Sequence, residues 1–240
     1  MRFILKLSYN GTAYHGWQKQ ENANSVQSMI ENALKKITGL SIDIMGCGRT
    51  DTGVHAKCYF AHFEMEEEPD IELVYKLNSV LPSDIAIEEC KKADDDFHAR
   101  FDAVSREYRY FIHFKKNPFL INQSYFVSKK LDVERMNKAC EILKEYEDFA
   151  SFCKKGADNK TTLCKLIKAH WEEINNQLIF TIIADRFLRN MVRAIVGAMV
   201  DVGLHKISLE DFKNIIEAKN NQFTGTSVAA CGLFLWDVRY

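Results

Sequence analysis

The residues best suited to chemistry lie in Gly46-Cys47-Gly48-Arg49-Thr50-Asp51-Thr52-Gly53-Val54-His55-Ala56. One carboxylate, Asp51, sits in a glycine-rich turn two residues after Arg49. Glycines permit tight backbone paths with φ > 0 and can push a side chain out into a cleft. An arginine close to an acid favours its ionised form. An ionised, positioned aspartate suits nucleophilic or base chemistry without a cofactor. The same spacing also suits an aspartate that merely caps its turn, so the residue pattern alone leaves both uses open.

A second group follows Asp185, where a helix is expected from about residue 186 to 202. At 100° per residue, Arg186, Arg189, Asn190 and Arg193 fall within about 100° of arc. Leu188, Met191, Val192, Ile195, Val196 and Met199 cover the opposite face. Solvated helix faces usually mix signs. Arginines with no acid among them repel one another and suit phosphates or a carboxylate partner. A third group lies on an expected strand over 104–114. There Tyr108, Tyr110 and Ile112 share one side, Arg109, Phe111 and His113 the other, and Arg106 precedes them. Aromatics beside arginines stack unpaired bases and hold phosphates, although one of the two tyrosines is expected in the core. Arg106, Arg109, Arg186 and Arg189 are thus candidates for RNA-backbone contact. The segment from Tyr9 to Gln20, rich in aromatics, amides and glycine, fits RNA contact and a packed loop equally.

Other chemistries find no footing. Gly46-x-Gly48 has Asp51 where a dinucleotide fingerprint needs a third glycine, and no P-loop lysine follows a G-x-x-x-x-G. The seven histidines lack metal-ligand spacing with one another or with the cysteines. No nucleophile elbow marks a Ser-His-Asp triad. Seven cysteines without a C-x-x-C pair point to reduced thiols in a cytoplasmic protein. No apolar run reaches membrane-spanning length, and the opening Met1–Lys6 is too short an apolar run for a secretory signal. Lys+Arg 32 against Asp+Glu 33 gives a formal net charge of −1. That balance alone disfavours a nucleic-acid binder, but acids crowd into residues 64–72 and 94–96 while basic residues recur elsewhere. One basic face is therefore expected.

The elements that must position these residues follow a simple order. Alternation over 2–8 predicts a strand. Val26, Met29, Ile30, Ala33, Leu34 and Ile37 predict a helix capped by Ser25 and ended at Gly39. Short strands are expected at 41–46 and 57–64, a helix at 70–80 and a strand at 84–91. This is the β-α-β-β-α-β order of a ferredoxin-like unit. The second half follows a similar plan: a strand at 104–114, a helix near 132–145, strands at 163–173 and 177–184, helices at 186–202 and 208–219, and a strand at 232–239. The expected domains are 1–102 and 103–240. With 240 residues, 47% of them hydrophobic, the chain can bury a sizeable core.

The chain resembles the bacterial tRNA pseudouridine synthase A family over essentially its whole length. The most specific marker is Gly48-Arg49-Thr50-Asp51-Thr52-Gly53-Val54-His55-Ala56. Others are Tyr9…Gly16-Trp17-Gln18…Gln20, Val26-Gln27, Asn78…Leu81-Pro82, Phe97-His98-Ala99-Arg100-Phe101, Tyr108-Arg109-Tyr110, Asp148-Phe149…Ser151-Phe152 and Met191-Val192-Arg193…Val196-Gly197. The resemblance implies isomerisation of uridine to pseudouridine in the anticodon stem-loop of tRNA, at tRNA positions 38 to 40, with no cofactor and no metal. It implies the α+β pseudouridine synthase fold: two ferredoxin-like halves sharing an extended, mixed, mostly antiparallel sheet with a central cleft. By the same resemblance Asp51 is the catalytic aspartate, Tyr108 stacks on the target base, Arg193 pairs with the catalytic carboxylate, and Arg49 helps hold the flipped nucleotide. Partners implied are tRNA and a second copy, as a homodimer in which one tRNA contacts both subunits, with no membrane. The chain departs from the family pattern at Asn10, where many members have Asp, and at Ala229-Ala230-Cys231-Gly232, which lacks a proline common before the glycine. Two other classes use the same residues: a tandem RNA-binding module without catalysis, which leaves the Arg-x-Asp loop without a purpose, and a small-molecule hydrolase, which leaves the arginines unexplained.

Overall fold

Alternation at the start of the chain produces β1 (Arg2–Tyr9), whose Leu5 and Leu7 are fully buried. It lies between β3 (His55–Glu64) and β4 (Ile85–Ala93), antiparallel to both. The computed structural model describes residues 1–156, 160–221 and 225–240. These residues form two compact units: 1–104 with 234–240, and 105–233.

In the first unit, α1 (Val26–Thr38) forms where the sequence places it. Ser25 Oγ accepts the Ser28 N–H at 3.2 Å, Ser28 Oγ returns the bond to Ser25, and Gly39 closes the helix in the left-handed region at φ 76°. Such a cap is worth about 1 kcal/mol. Val26, Ile30, Ala33 and Leu34 form its buried stripe. The strand expected at 41–46 shrinks to β2 (Met45–Gly46), paired with the far end of β3. The helix expected from residue 70 begins later, as α2 (Leu73–Val80), because the Asp70 carboxylate takes the Glu72 N–H and makes a turn first. Strand order β4-β1-β3-β2 is that of a ferredoxin-like unit. A further strand, β9 (Leu233–Arg239), adds to the start of β3 in parallel, His55 opposite Phe234 and Ala56 opposite Leu235.

The second unit is built on β5 (Ser105–His113), β8 (Gln177–Ala184) and β7 (Leu166–Ile174), antiparallel in that order, with the short β6 (Tyr125–Phe126) parallel to β5. Helix α3 (Val133–Lys144) covers β7 and packs with α4 (Met191–Gly203) and α5 (Leu209–Glu217). Trp171 stacks on Phe180 at 4.8 Å and donates its indole N–H to Met199 Sδ at 3.3 Å. Strand pairing across the chain is mixed and mostly antiparallel.

Helix α4 corrects the sequence expectation. It begins at Met191, not near residue 186, so Arg186 and Arg189 precede it and form no helical stripe with Arg193. Two local preferences decide this. The Asp185 carboxylate accepts the N–H groups of Arg186 and Lys165 at 2.7 and 2.8 Å, and Asn190 takes the left-handed conformation at φ 67°. A short amide side chain tolerates that conformation better than most. The helix is also buried nearly all round, so its apolar residues do not mark one face.

Candidate active site

The loop carrying Asp51 is seated by neighbours that the sequence left undecided between packing and RNA contact. Tyr9, Tyr14 and Trp17 are buried. Trp17 stacks on Tyr59 with centroids 4.0 Å apart, and the Tyr59 hydroxyl donates to Gly48 O. Tyr9 Oη and Thr50 Oγ1 share a hydrogen bond of 2.8 Å. Gly53 N donates to Tyr14 O at 3.2 Å, and Val54 N closes the turn onto Asp51 O at 3.1 Å. At Gly16 the backbone has φ +86°, and a Cβ there would collide with Thr50 O, so this position excludes a side chain on both counts. Residues 9–17 thus form the bed on which Thr50 and Asp51 rest. Asp51 itself is partly exposed and Arg49 is exposed.

Helix α1 anchors this bed. Its first-turn N–H groups, which have no partner inside a helix, donate to the segment: Val26 N to Gly16 O at 3.2 Å and Gln27 N to Trp17 O at 3.0 Å. Gln27 then ties both sides together. Its Oε1 accepts Lys19 N at 3.0 Å, and its Nε2 donates to Ile44 O and Glu31 Oε1. Glu31 is only 7% exposed; it accepts Ile44 N at 3.3 Å and pairs with Lys19 Nζ at 2.8 Å. Ile44 is three residues ahead of Cys47, so this network fixes the approach to the Asp51 loop as well as its bed. Sequence periodicity gave no hint of it, since Glu31 reads simply as a polar residue next to an apolar stripe.

On the far side of the loop, His55 is buried. Its Nδ1 accepts the Gly11 N–H at 3.0 Å, and its ring stacks on Phe234 at 4.4 Å. Tyr14 Oη donates to Asp84 at 2.6 Å; burial and that carboxylate push the phenol pKa up, so it stays a donor.

The remaining predicted site residues belong to the second unit. On β5, the even-numbered residues turn inward. Arg106 is buried and donates Nη1 to Asp185 O at 2.8 Å. Tyr108 is nearly buried, with the Phe187 ring edge-on at 5.0 Å. Tyr110 is the fully buried one of the pair and donates to Ala229 O at 2.8 Å; burial raises its pKa. Arg109 faces the other way and pairs with Glu107 at 2.7 Å. Arg193, in the first turn of α4, donates Nε to Val228 O at 2.9 Å, and Val228 N returns to Arg193 O. Arg186 reaches Thr161 O and Leu163 O at 3.3 and 3.5 Å, while Arg189 is exposed. The polypeptide therefore gathers Asp51 with Arg49 in one unit, and Arg106, Tyr108 and Phe187 around one strand in the other.

Among the described residues, no three His, Cys, Asp or Glu side chains group as a metal site would need. All seven cysteines are free thiols. No helix of the described residues is long and apolar enough to cross a membrane.

A family model described as tRNA pseudouridine synthase matches residues 7–102 and 139–240. The tRNA pseudouridine synthase A of Azobacteroides pseudotrichonymphae is 46% identical over 240 residues, covering 100% of this chain and 96% of its own. That of Parabacteroides distasonis is 46% identical over 242 residues with the same coverage. That of Acetivibrio thermocellus is 41% identical over 239 residues, covering 98% of each.

Proposed function

The chain belongs to the tRNA pseudouridine synthase family, and from that premise we propose that it isomerises uridine in the anticodon stem-loop of tRNA, at tRNA positions 38 to 40, with Asp51 as the reacting carboxylate. The observation that carries this reading is the seating of Thr50–Asp51: a partly exposed carboxylate on a loop whose neighbours are buried, stacked and hydrogen-bonded. A reacting group held by a rigid bed loses little freedom when substrate arrives.

The chemistry follows from the substrate. A base in a stem must leave its stack at a cost of a few kcal/mol, offset by phosphate contacts and by stacking on a pocket ring. In this reading Tyr108 supplies the ring, Arg49 helps hold the extruded nucleotide, Arg193 pairs with the Asp51 carboxylate, and Arg109, Arg186 and Arg189 are the arginines offered to the backbone; Arg106, expected among them from the sequence, is buried against Asp185 O instead. Asp51 takes the proton from C2′. The C–H electrons form C1′=C2′ as the N1–C1′ bond breaks and uracil leaves as its anion. The ring turns, C5 bonds to C1′ and Asp51 returns the proton to C2′; the C5 proton then departs to water while N1 takes one up, which restores the neutral base. Substrate and product are isomers, so no group donor or redox partner is needed, and the enzyme works without a cofactor. The same reading makes it a homodimer in which one tRNA meets both subunits.

Tritium release from tRNA labelled at uridine C5 is the test. Asp51→Ala should cut release by about 100- to 10,000-fold or more with tRNA binding retained. Binding by the wild type without release would instead identify an RNA-binding module. Deuterium at C2′ should slow a single turnover; no isotope effect would favour direct attack of Asp51 on C1′.

A further inference from the structure

Between β5 and α3 lies a segment the reaction does not use. Residues 114–131 contain Lys115, Lys116, Lys129 and Lys130 and no aspartate or glutamate. All four lysines are exposed, and among the described residues no carboxylate pairs with any of them. The next acid along the chain, Asp132, is occupied: it caps α3 through the Arg135 N–H and lies 3.3 Å from His205.

The fold brings the two lysine pairs to one place. Strands β5 and β6 run parallel, with His113 opposite Phe126, and Val127 N continues the pairing to His113 O at 3.0 Å. Both chains therefore leave at the same end, and Lys116 and Lys129 each follow three residues after the last register pair. Rings accompany the cations. Phe119 is 87% exposed, on a single turn over Pro118–Leu120 fixed by Asn117 Oδ1 accepting its N–H at 2.9 Å. Phe126 is 47% exposed, beside His113.

We propose that this end of the second unit docks the sugar-phosphate backbone and exposed bases of tRNA at a distance from the nucleotide being modified. The inference rests on the reading of Tyr108 as the pocket tyrosine. Tyr108 and His113 are five residues apart on β5, about 17 Å at strand rise, and the lysines lie beyond. A nucleotide held at Tyr108 does not reach them, but the rest of a tRNA does. Unpaired ammonium groups with no carboxylate among them match phosphates, and exposed phenyl faces beside them stack on bases. A second copy of the chain fits less well, because a two-fold contact would set lysines against lysines.

The test uses the full chain and a full-length tRNA transcript, with binding measured across about 50 to 200 mM salt. Replacing all four lysines by alanine should weaken binding at least about 10-fold at low salt and reduce the slope of log K against log salt by about 3. The rate at saturating tRNA should stay within about two-fold of wild type. Phe119→Ala should weaken binding with the slope unchanged. These residues are exposed, so the thermal midpoint should barely move. An unchanged slope in the quadruple variant would overturn the proposal. So would its dissociation to monomer in sedimentation, which would make the occupant a second copy. If the wild type bound tRNA but made no pseudouridine, the reaction reading would fall, while the slope comparison would still decide this surface.

Discussion

Glu31 shows how much a single buried carboxylate can organise. Its partner Ile44 is thirteen residues away, so nothing in the local spacing of α1 announces the contact. The hydrogen bonds, more than the charge, carry its role, since Lys19 is largely exposed and such a pair is worth about 1 kcal/mol or less. Glu31→Ala should cost about 1–3 kcal/mol of stability and lower kcat about 10-fold by loosening the Asp51 loop. Glu31→Gln keeps an acceptor for Ile44 N and should recover most of both, as read by urea unfolding and single-turnover rates. Equal damage from both substitutions would mean that charge decides. His62 offers a different residue-scale test. It is buried on β3 and its Nδ1 accepts the Ala99 N–H at 3.1 Å. Burial first, then the His98 and Arg2 charges, lowers its pKa to about 4 from an ordinary 6.5. With the folded value below the unfolded one, its contribution is intact above pH 6.5 and is lost as pH falls towards 4. The loss should reach about 3 kcal/mol. His62→Gln should flatten stability across that window in urea titrations at several pH values.

At the scale of elements, legibility tracked amphipathicity. Helix α1 has one apolar stripe, a serine at its start and a glycine at its end, and the structure has it at residues 26–38 as the pattern predicts. Helix α4 is apolar on every side, so periodicity could not fix its start, and the arginine spacing suggested a stripe that Asn190 and Asp185 prevent. Strand β5 was legible by alternation, but alternation put both tyrosines on one side and left open which is the core residue; it is Tyr110, fully buried and bonded to Ala229 O. The Tyr9–Trp17 bed stayed ambiguous because aromatic and amide residues serve packing and recognition alike. Gly197 on α4 is where an element-scale prediction is sharpest. A Cβ there would stand 2.5 Å from Thr226 O, on the stretch whose Val228 holds Arg193. Gly197→Ala should therefore destabilise the protein by about 1–3 kcal/mol through overpacking. It should also lower turnover more than a stabilised background can restore, as kcat measured well below the melting midpoint would report.

Over the whole molecule, the two compact units are threaded unequally. The second is one continuous stretch, 105–233, whereas the first needs both 1–104 and 234–240. Those last residues do more than extend a sheet: Val104 N bonds to Arg239 O at 2.7 Å, Tyr240 Oη to Ala99 O at 2.7 Å, and Phe234 lies flat on His55. Deleting 234–240 should therefore speed hydrogen exchange in β3 and in the Asp51 loop, although both lie more than a hundred residues upstream. Protection that stayed at wild-type level in 50–60 would refute that dependence.

Threading of this kind also sets an order of assembly. Chains fold as they are made, early segments first, yet here the segment made first must wait for a strand encoded after the entire other unit. Closing so long a loop costs entropy, and the later-synthesised half, being contiguous, can finish ahead of the earlier one. The aspartate loop should be the last part of the nascent protein to become rigid.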